Sequence, residues 1–503
     1  MGPNASPSPS ENPSSAPSND SVVHQPLPPI PGTPLSWRIA IGASIFTLAF
    51  LAYAMQSLIG VRGQAAVGIL FFFGLVAMFS SNLRAVNKKT ILGGVALQLC
   101  LALLVIHGKF SYNTIDPVTQ ESRTVEWSVH DGIKWFAGIV DTFIGYANEG
   151  GKFVFGNLAK PGDMATVFGD NFAFPFAFVV LPTILFVSAF FTVLYHFGIL
   201  QICVRGMSKV MIYVMGTSGA ETLSVSANVF MGQTEAPLIV KPYVPRMTNS
   251  ELFVLMTSGM AHISGGMMAV YISYGADPVA VLTTCVMACP CSLYLAKLFM
   301  PEVSLPETSG SIKMSTEKSP YVNAVDAAAS GTSDGLRLAL NVAAMLIVFI
   351  AFTALIDGLL SVIQTQWITR TLGWAMPDKI SLQWIFGKLF SPIAFLMGVE
   401  SADQDKVGSL LGTKLVINEH FAYIQLKGMK AIAGSMSDRS YQLAAFALTG
   451  FANFSSVGIQ LGGIGALAPG RRNDLARLGL KALFVGFTAT LLNAAIAGVL
   501  LGT

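Results

Sequence analysis

The chain has 503 residues, of which 53% are hydrophobic and 11% charged, with a formal net charge of +3. Soluble domains carry about 25% charged residues, so the composition excludes an ordinary soluble protein, and the small net charge gives no electrostatic case for nucleic acid. The length accommodates many membrane spans at about 20 apolar residues each. The five cysteines, Cys100, Cys203, Cys285, Cys289 and Cys291, form no even disulfide framework. Cys289-Pro-Cys291 lacks a second ligand pair for a metal and reads as packing residues.

Residues 1–35 are rich in Pro, Ser and Asn, a disordered-tail composition without the basic start and apolar core of a signal peptide. The Met1-Gly2 match to a myristoylation pattern is treated as chance because Pro3 follows the glycine. Apolar runs at 37–59, 65–82 and 90–107 predict transmembrane helices over 36–108. The stretch 109–170 predicts an extramembrane insert and then an interfacial amphipathic helix around Trp135 to Phe155. Region 171–299 holds runs at 172–199, 252–274 and 278–299 around a broken segment at 225–245. A polar linker with Lys313 and Lys318 occupies 300–334, and the run at 336–363 predicts a helix over 335–366. Region 367–503 has a second broken segment at 384–426, then runs at 441–467 and 478–501. Arg84, Lys88, Lys89, Arg471 and Arg472 mark cytoplasmic loops, which puts the N-terminus in the cytoplasm and the C-terminus outside.

The broken segments carry the chemistry. In the first, Gly232-Gln233-Thr234-Glu235 and Pro237 interrupt the apolar residues. Irregular backbone survives at membrane depth only where it is buried in protein or lines a wet cavity. Gln233, Thr234 and Glu235 therefore predict the polar lining of a solute site on a re-entrant hairpin. The second segment is interrupted at Gly398 to Asp403 and resumes through Leu411 to Ile417 into Asn418-Glu419-His420. Two interrupted segments, each followed by long spans, predict inverted repeats. Asn453 and Ser456 add amide and hydroxyl groups to an apolar span. Glu235 and Glu419 are costly at membrane depth and so read as paired or functional. Physics alone predicts a small solute bearing hydroxyl or amide groups.

The run Gly232-Gln-Thr-Glu-Ala-Pro-Leu238, with Asn228 before it, resembles the signature of the concentrative nucleoside transporters. So do Ser80-Ser-Asn-Leu-Arg84, Leu181-Pro-Thr183, Gly216-Thr-Ser-Gly-Ala-Glu221, Asn418-Glu419, Ala422-Tyr423 and Gly450-Phe-Ala-Asn453, covering nearly the whole chain from Ala65. The resemblance implies an all-α polytopic membrane protein with about nine transmembrane helices, two re-entrant hairpins, inverted repeats, and scaffold and transport domains. It implies a homotrimer in the cell membrane, nucleoside as substrate, a coupling cation, no organic cofactor and no enzymatic activity. Gln233, Thr234 and Glu235 are expected at the base and Glu419, Asn453 and Ser456 at the ribose. Phe451 is expected against the base face, and Met267 completes the substrate set.

Asn228, Met231, His262 and Ile263 match the family's sodium site, where His262 replaces the usual Ser or Thr. An imidazole is a poor sodium ligand but can carry a proton near its unperturbed pKa of about 6.5. Sodium is favoured slightly over a proton because Asn228 is retained. His420 stands where the family usually has Phe, and Glu400-Ser401 where it has Pro-Trp. The alternative classes are a channel, which would need rings of repeated polar groups, and an intramembrane enzyme, for which no catalytic motif is visible.

Overall fold

The computed structural model describes residues 31–115, 122–160, 176–309, 321–370 and 379–502. Most of the expected tail, and Lys313 and Lys318 of the expected linker, lie outside these residues. Apolar helices open the chain as α1 (Leu35–Ala54) and α2 (Gln56–Met78), which pack on each other. Their boundary lies at Met55, upstream of the gap expected after 59. Helix α3 (Lys88–His107) starts at Asn87, whose side chain accepts from the Lys89 N–H.

The insert adds one short hairpin to the helical architecture: β1 (Lys109–Ile115) and β2 (Ser122–Ser128) pair antiparallel, with Lys109 opposite Ser128. Phe110, Tyr112, Val125 and Trp127 alternate with polar residues there, the period of a strand. The chain is nearly all helical otherwise. Helix α4 (Val129–Phe155) covers the expected amphipathic segment, and Ser128 caps it through the Asp131 N–H at 2.9 Å. Helix α5 (Phe176–His196) turns by 73° near the left-handed Gly198 into α6 (Ile199–Met215), a helix the apolar runs did not indicate.

One order of elements then occurs twice. Helix α7 (Gly219–Ala227), the irregular stretch 228–235 and α8 (Ala236–Ile239) come first. Helices α9 (Asn249–Ala261) and α10 (Gly265–Ser273) follow as a broken pair, then the long α11 (Pro278–Phe299). After α12 (Ala324–Val362) and α13 (Leu382–Leu396), the order returns as α14 (Gln404–Val416), Ile417-Asn418 and α15 (Glu419–Ala431). The broken pair α16 (Asp438–Leu448) and α17 (Phe454–Leu467) and the long α18 (Arg472–Leu500) complete it.

Three boundaries depart from expectation. The second interrupted segment has two breaks rather than one, and the turn at 397–403 joins α13 to α14, so the break beside Glu419 is Ile417-Asn418. Helix α12 begins at Ala324, inside the linker expected over 300–334. The runs at 252–274 and 441–467 are each two helices, because Ser264 and Asn453 cap new helix starts inside them. Among the described residues six spans are long and apolar enough to cross a membrane when the broken pair α9–α10 is taken as one, or seven if the bent pair α5–α6 is one more.

Helices α9, α11 and the 485–498 part of α18 form the centre, with nearly every side chain buried. Small residues allow the close approaches that a membrane core uses in place of a hydrophobic drive. At Gly68 on α2 an added Cβ would fall 1.6 Å from the Leu396 carbonyl oxygen of α13. Buried polar side chains pair across helices: Tyr294 donates to Gln98 at 2.6 Å, and Gln98 donates to Asn493 at 2.6 Å. This packing holds the two irregular stretches and the two helix breaks in one place.

Candidate functional site

A helix broken inside a protein leaves unmet N–H and C=O groups that need partners. Here the breaks supply one another. The Phe451 N–H donates to the His262 carbonyl at 3.0 Å, and the Gly265 N–H donates to the Phe230 carbonyl at 3.0 Å. Gly450 enables the approach: at φ 144° its added Cβ would lie 3.0 Å from the Ala261 carbonyl oxygen and 2.7 Å from a Thr490 methyl. Carbonyls at the end of α16 are met by side chains. Tyr423 donates to Ala445 O at 2.9 Å and Lys414 to Ala447 O at 2.7 Å.

A continuous hydrogen-bonded chain crosses the space between the two irregular stretches. Gln233 donates through Nε2 to Ser456 Oγ at 3.1 Å. The Ser456 N–H donates to Asn453 Oδ1 at 2.9 Å, and Asn453 Nδ2 donates to Glu419 Oε2 at 2.8 Å. Tyr271 completes the carboxylate, donating to Oε1 at 2.9 Å. Glu419 is 4% and Gln233 8% exposed. A carboxylate has about four lone-pair positions, so these two bonds leave Glu419 room to accept from a solute.

The remaining expected residues surround this chain unequally. Thr234 packs on α17, where an added Cβ on Gly463 would lie 2.7 Å from its methyl. Glu235 stands apart, accepting from the Gly232 N–H at 2.9 Å while its side chain is exposed. Phe451 is partly buried on the second break. Met267 is buried in the first turn of α10, its N–H on Ser264 Oγ at 3.3 Å.

Asn228 and His262 both meet Ser258. Asn228 Nδ2 donates to Ser258 Oγ at 3.0 Å, and His262 Nδ1 lies 2.7 Å from the Ser258 carbonyl oxygen. A carbonyl only accepts, so Nδ1 carries the proton and Nε2 accepts from the Cys289 thiol at 3.3 Å. Asn228 Oδ1 is buried without a hydrogen-bond partner among the described residues. A hard cation prefers such an oxygen. Ile263 is fully buried beside His262, and Met231 is partly buried beyond Asn228.

Residue type alone did not single out Tyr271, Gln460 or Lys414. Gln460 donates to Gln233 Oε1 at 3.2 Å and to the Met256 carbonyl at 3.0 Å. Both Gln460 and Lys414 are polar residues inside apolar runs, the signal that had marked Glu419. A neighbouring cavity of about 610 Å³ is bounded by Phe190, Phe191, Val229, Phe230 and Met268. Its walls are almost wholly apolar, so it offers a polar solute little to hydrogen-bond with.

Residues 67–126 match the family model described as Na+ dependent nucleoside transporter N-terminus and 280–498 the corresponding C-terminus model. Residues 177–278 match a model described as Nucleoside recognition. An uncharacterised transporter of Haemophilus influenzae is 36% identical over 449 residues, spanning 87% of this chain and 98% of that protein. One of Bacillus subtilis is 37% identical over 445 residues, spanning 88% and 99%. The chain belongs to the concentrative nucleoside transporter family. This transporter is also similar to CNTnw in an inward-facing substrate-bound state, with TM-score 0.77 and 35% identity over 88% of this chain and 98% of that one. An outward-facing CNTnw structure gives TM-score 0.78 and 34% identity over the same shares. The Sodium/nucleoside cotransporter 1 of Sus scrofa is 37% identical, and the match spans 86% of this chain and 63% of that protein. The family's members are transporters, so the expectation of a non-enzyme stands, and the transporter is a multi-pass membrane protein.

Proposed function

We propose that this transporter imports nucleosides across the cell membrane by symport with sodium. One observation carries the reading: the chain of hydrogen bonds from Gln233 through Ser456 and Asn453 to Glu419. It sets an amide at one end and a carboxylate at the other, as a base and a ribose require. The base edge offers amide-like donors and acceptors to Gln233 and Thr234, and the sugar hydroxyls donate to Glu419. Phe451 and Met267 supply apolar contact, and Glu235 steadies the irregular stretch through Gly232.

Sodium occupies the place around Asn228 Oδ1 in this reading, with carbonyls of Met231 and Ile263 as further oxygens. The buried, unpartnered Oδ1 supports it. The rival reading, proton coupling, is favoured by His262 at a position where relatives carry a hydroxyl.

Alternating access is of the elevator type, with the two repeated units moving against α5 and α12. The apolar walls between α5, α6 and α10, which among the described residues form no hydrogen-bond network to be broken, support sliding. The exposed apolar flank of α12, including Leu336, Ile347, Phe352, Leu355 and Leu359, supports contact with lipid and with other copies in a homotrimer. The N-terminus lies in the cytoplasm and the C-terminus outside.

Counterflow in proteoliposomes tests the whole reading, using labelled uridine and adenosine under separate sodium and proton gradients. Saturable uptake, accelerated by internal unlabelled nucleoside and driven by inward sodium, is expected. Linear, unsaturable flux would instead favour a channel.

A further inference from the structure

Lys414 is a charged side chain at 0% exposure near the end of α14. Its ammonium donates to the Ala447 carbonyl at 2.7 Å and Thr490 Oγ1 at 2.9 Å, and lies 5.4 Å from the centre of the Phe487 ring. All three partners are neutral. Among the described residues no carboxylate lies within ion-pair distance of it; Glu419, five positions further along the chain, is a buried carboxylate whose side-chain partners, Tyr271 and Asn453, are neutral as well. A buried ammonium costs several kcal/mol unless its charge is answered, and attraction between charges persists over longer distances in a medium of low dielectric.

A capping role alone does not call for a charge. In the first unit the corresponding end of α9 is served by a neutral group, His262 on Ser258 O. The second unit also differs in carrying a buried carboxylate, Glu419, three residues past the end of α14. Lys414 reaches that carboxylate mechanically as well. It holds the last turn of α16, whose following Thr449 bonds Tyr423 at 2.8 Å. Tyr423 stacks on Tyr271 at 4.3 Å, and Tyr271 donates to Glu419.

We propose that Lys414 is a positioning residue, the resident counter-charge that holds Glu419 as an anion facing the sugar. The proposal rests on the reading of Glu419 as the ribose acceptor. It distinguishes charge from capping, because Lys414→Gln retains a donor for Ala447 and Thr490 while removing the positive charge.

The test is uridine binding by calorimetry to the purified full-length protein, with Lys414→Gln, Glu419→Gln, the double variant and Lys414→Arg. Each of the first two variants should bind about tenfold more weakly or worse. The double variant should bind within about threefold of Glu419→Gln, since the charge then has nothing to act on. Lys414→Arg should stay close to wild type. Equal losses from Lys414→Gln in both backgrounds would overturn the proposal in favour of a purely structural cap. Wild-type affinity in Lys414→Gln beside a weakened Glu419→Gln would sink the proposal alone, whereas wild-type affinity in Glu419→Gln would remove the ribose reading beneath it. Thr490→Val offers a second route that leaves the ammonium in place. It should change affinity less than about threefold, and a tenfold loss there would also count against the charge.

Discussion

The Phe451 N–H donates to the His262 carbonyl at 3.0 Å, joining the break of one repeated unit to the break of the other. Each residue sits where a helix stops inside the buried core, so each brings backbone groups that would be costly alone. Joined, each satisfies the other directly. The polar residues on the two breaks and the two irregular stretches therefore belong to a single construction, although they come from distant parts of the chain.

Gly450 is the hinge of that construction, so Gly450→Ala tests it. Its φ of 144° disfavours any Cβ, and the new methyl would press on the Ala261 and Met260 carbonyls at 3.0 and 3.2 Å. Backbone strain and overpacking together cost on the order of 3 kcal/mol. The variant should lose several degrees of melting temperature in detergent, and nucleoside should restore less of it than in the wild type. An unchanged melting curve would mean that the breaks tolerate separation.

The carboxylate gives a second expectation. Asn453 and Tyr271 already bond Glu419, and each sugar hydroxyl added to it contributes about 1.5–3 kcal/mol. Glu419→Gln should lower uridine uptake at least about tenfold at equal membrane abundance. Free uracil should compete poorly with uridine in the wild type. Competition by uracil as strong as that by uridine would show that the sugar contributes little.

Gln233 gives a third. Gln460 donates to its oxygen and Ser456 accepts from its nitrogen, so the amide is held in one orientation. The remaining N–H and lone pair are then available together for a base edge. Gln233→Ala should change the ranking of uridine, cytidine and adenosine in competition assays. Gln460→Ala should flatten that ranking too, by freeing the amide to turn. Uniform loss across all three nucleosides would point to packing alone.

Much of this was legible in the residues. Gln233 and Glu419 stood out because polar groups are expensive at membrane depth, and both lie in the hydrogen-bonded chain. The breaks at His262 and Phe451 did not stand out, because the flanking residues are apolar enough to read as unbroken spans. A helix start depends on one capping side chain, Ser264 or Asn453, and window averages of hydropathy cannot register it. The strands at 109–128 were hidden for a related reason: their alternation is short and surrounded by helical segments. Tyr271 reaches Glu419 from 148 positions away, a pairing that only the packed helices bring about.

The coupling ion is the sharpest remaining expectation. Both nitrogens of His262 are engaged, Nδ1 by the Ser258 carbonyl and Nε2 by Cys289. Taking up a second proton would turn Nε2 from acceptor into donor, leaving it only the weakly accepting Cys289 sulfur, and would bury a charge. Asn228 Oδ1, by contrast, is an oxygen in want of a partner. Sodium coupling therefore predicts that replacing sodium by choline collapses uptake and that Asn228→Ala raises the half-saturating sodium concentration at least about tenfold. His262→Ser should move that concentration the other way, since a hydroxyl adds an oxygen ligand that imidazole lacks. Proteoliposome uptake across a sodium titration at fixed pH measures all three. Uptake that survives choline, rises toward acid pH, is abolished by a protonophore and loses its pH dependence in His262→Ser would assign the coupling to protons instead.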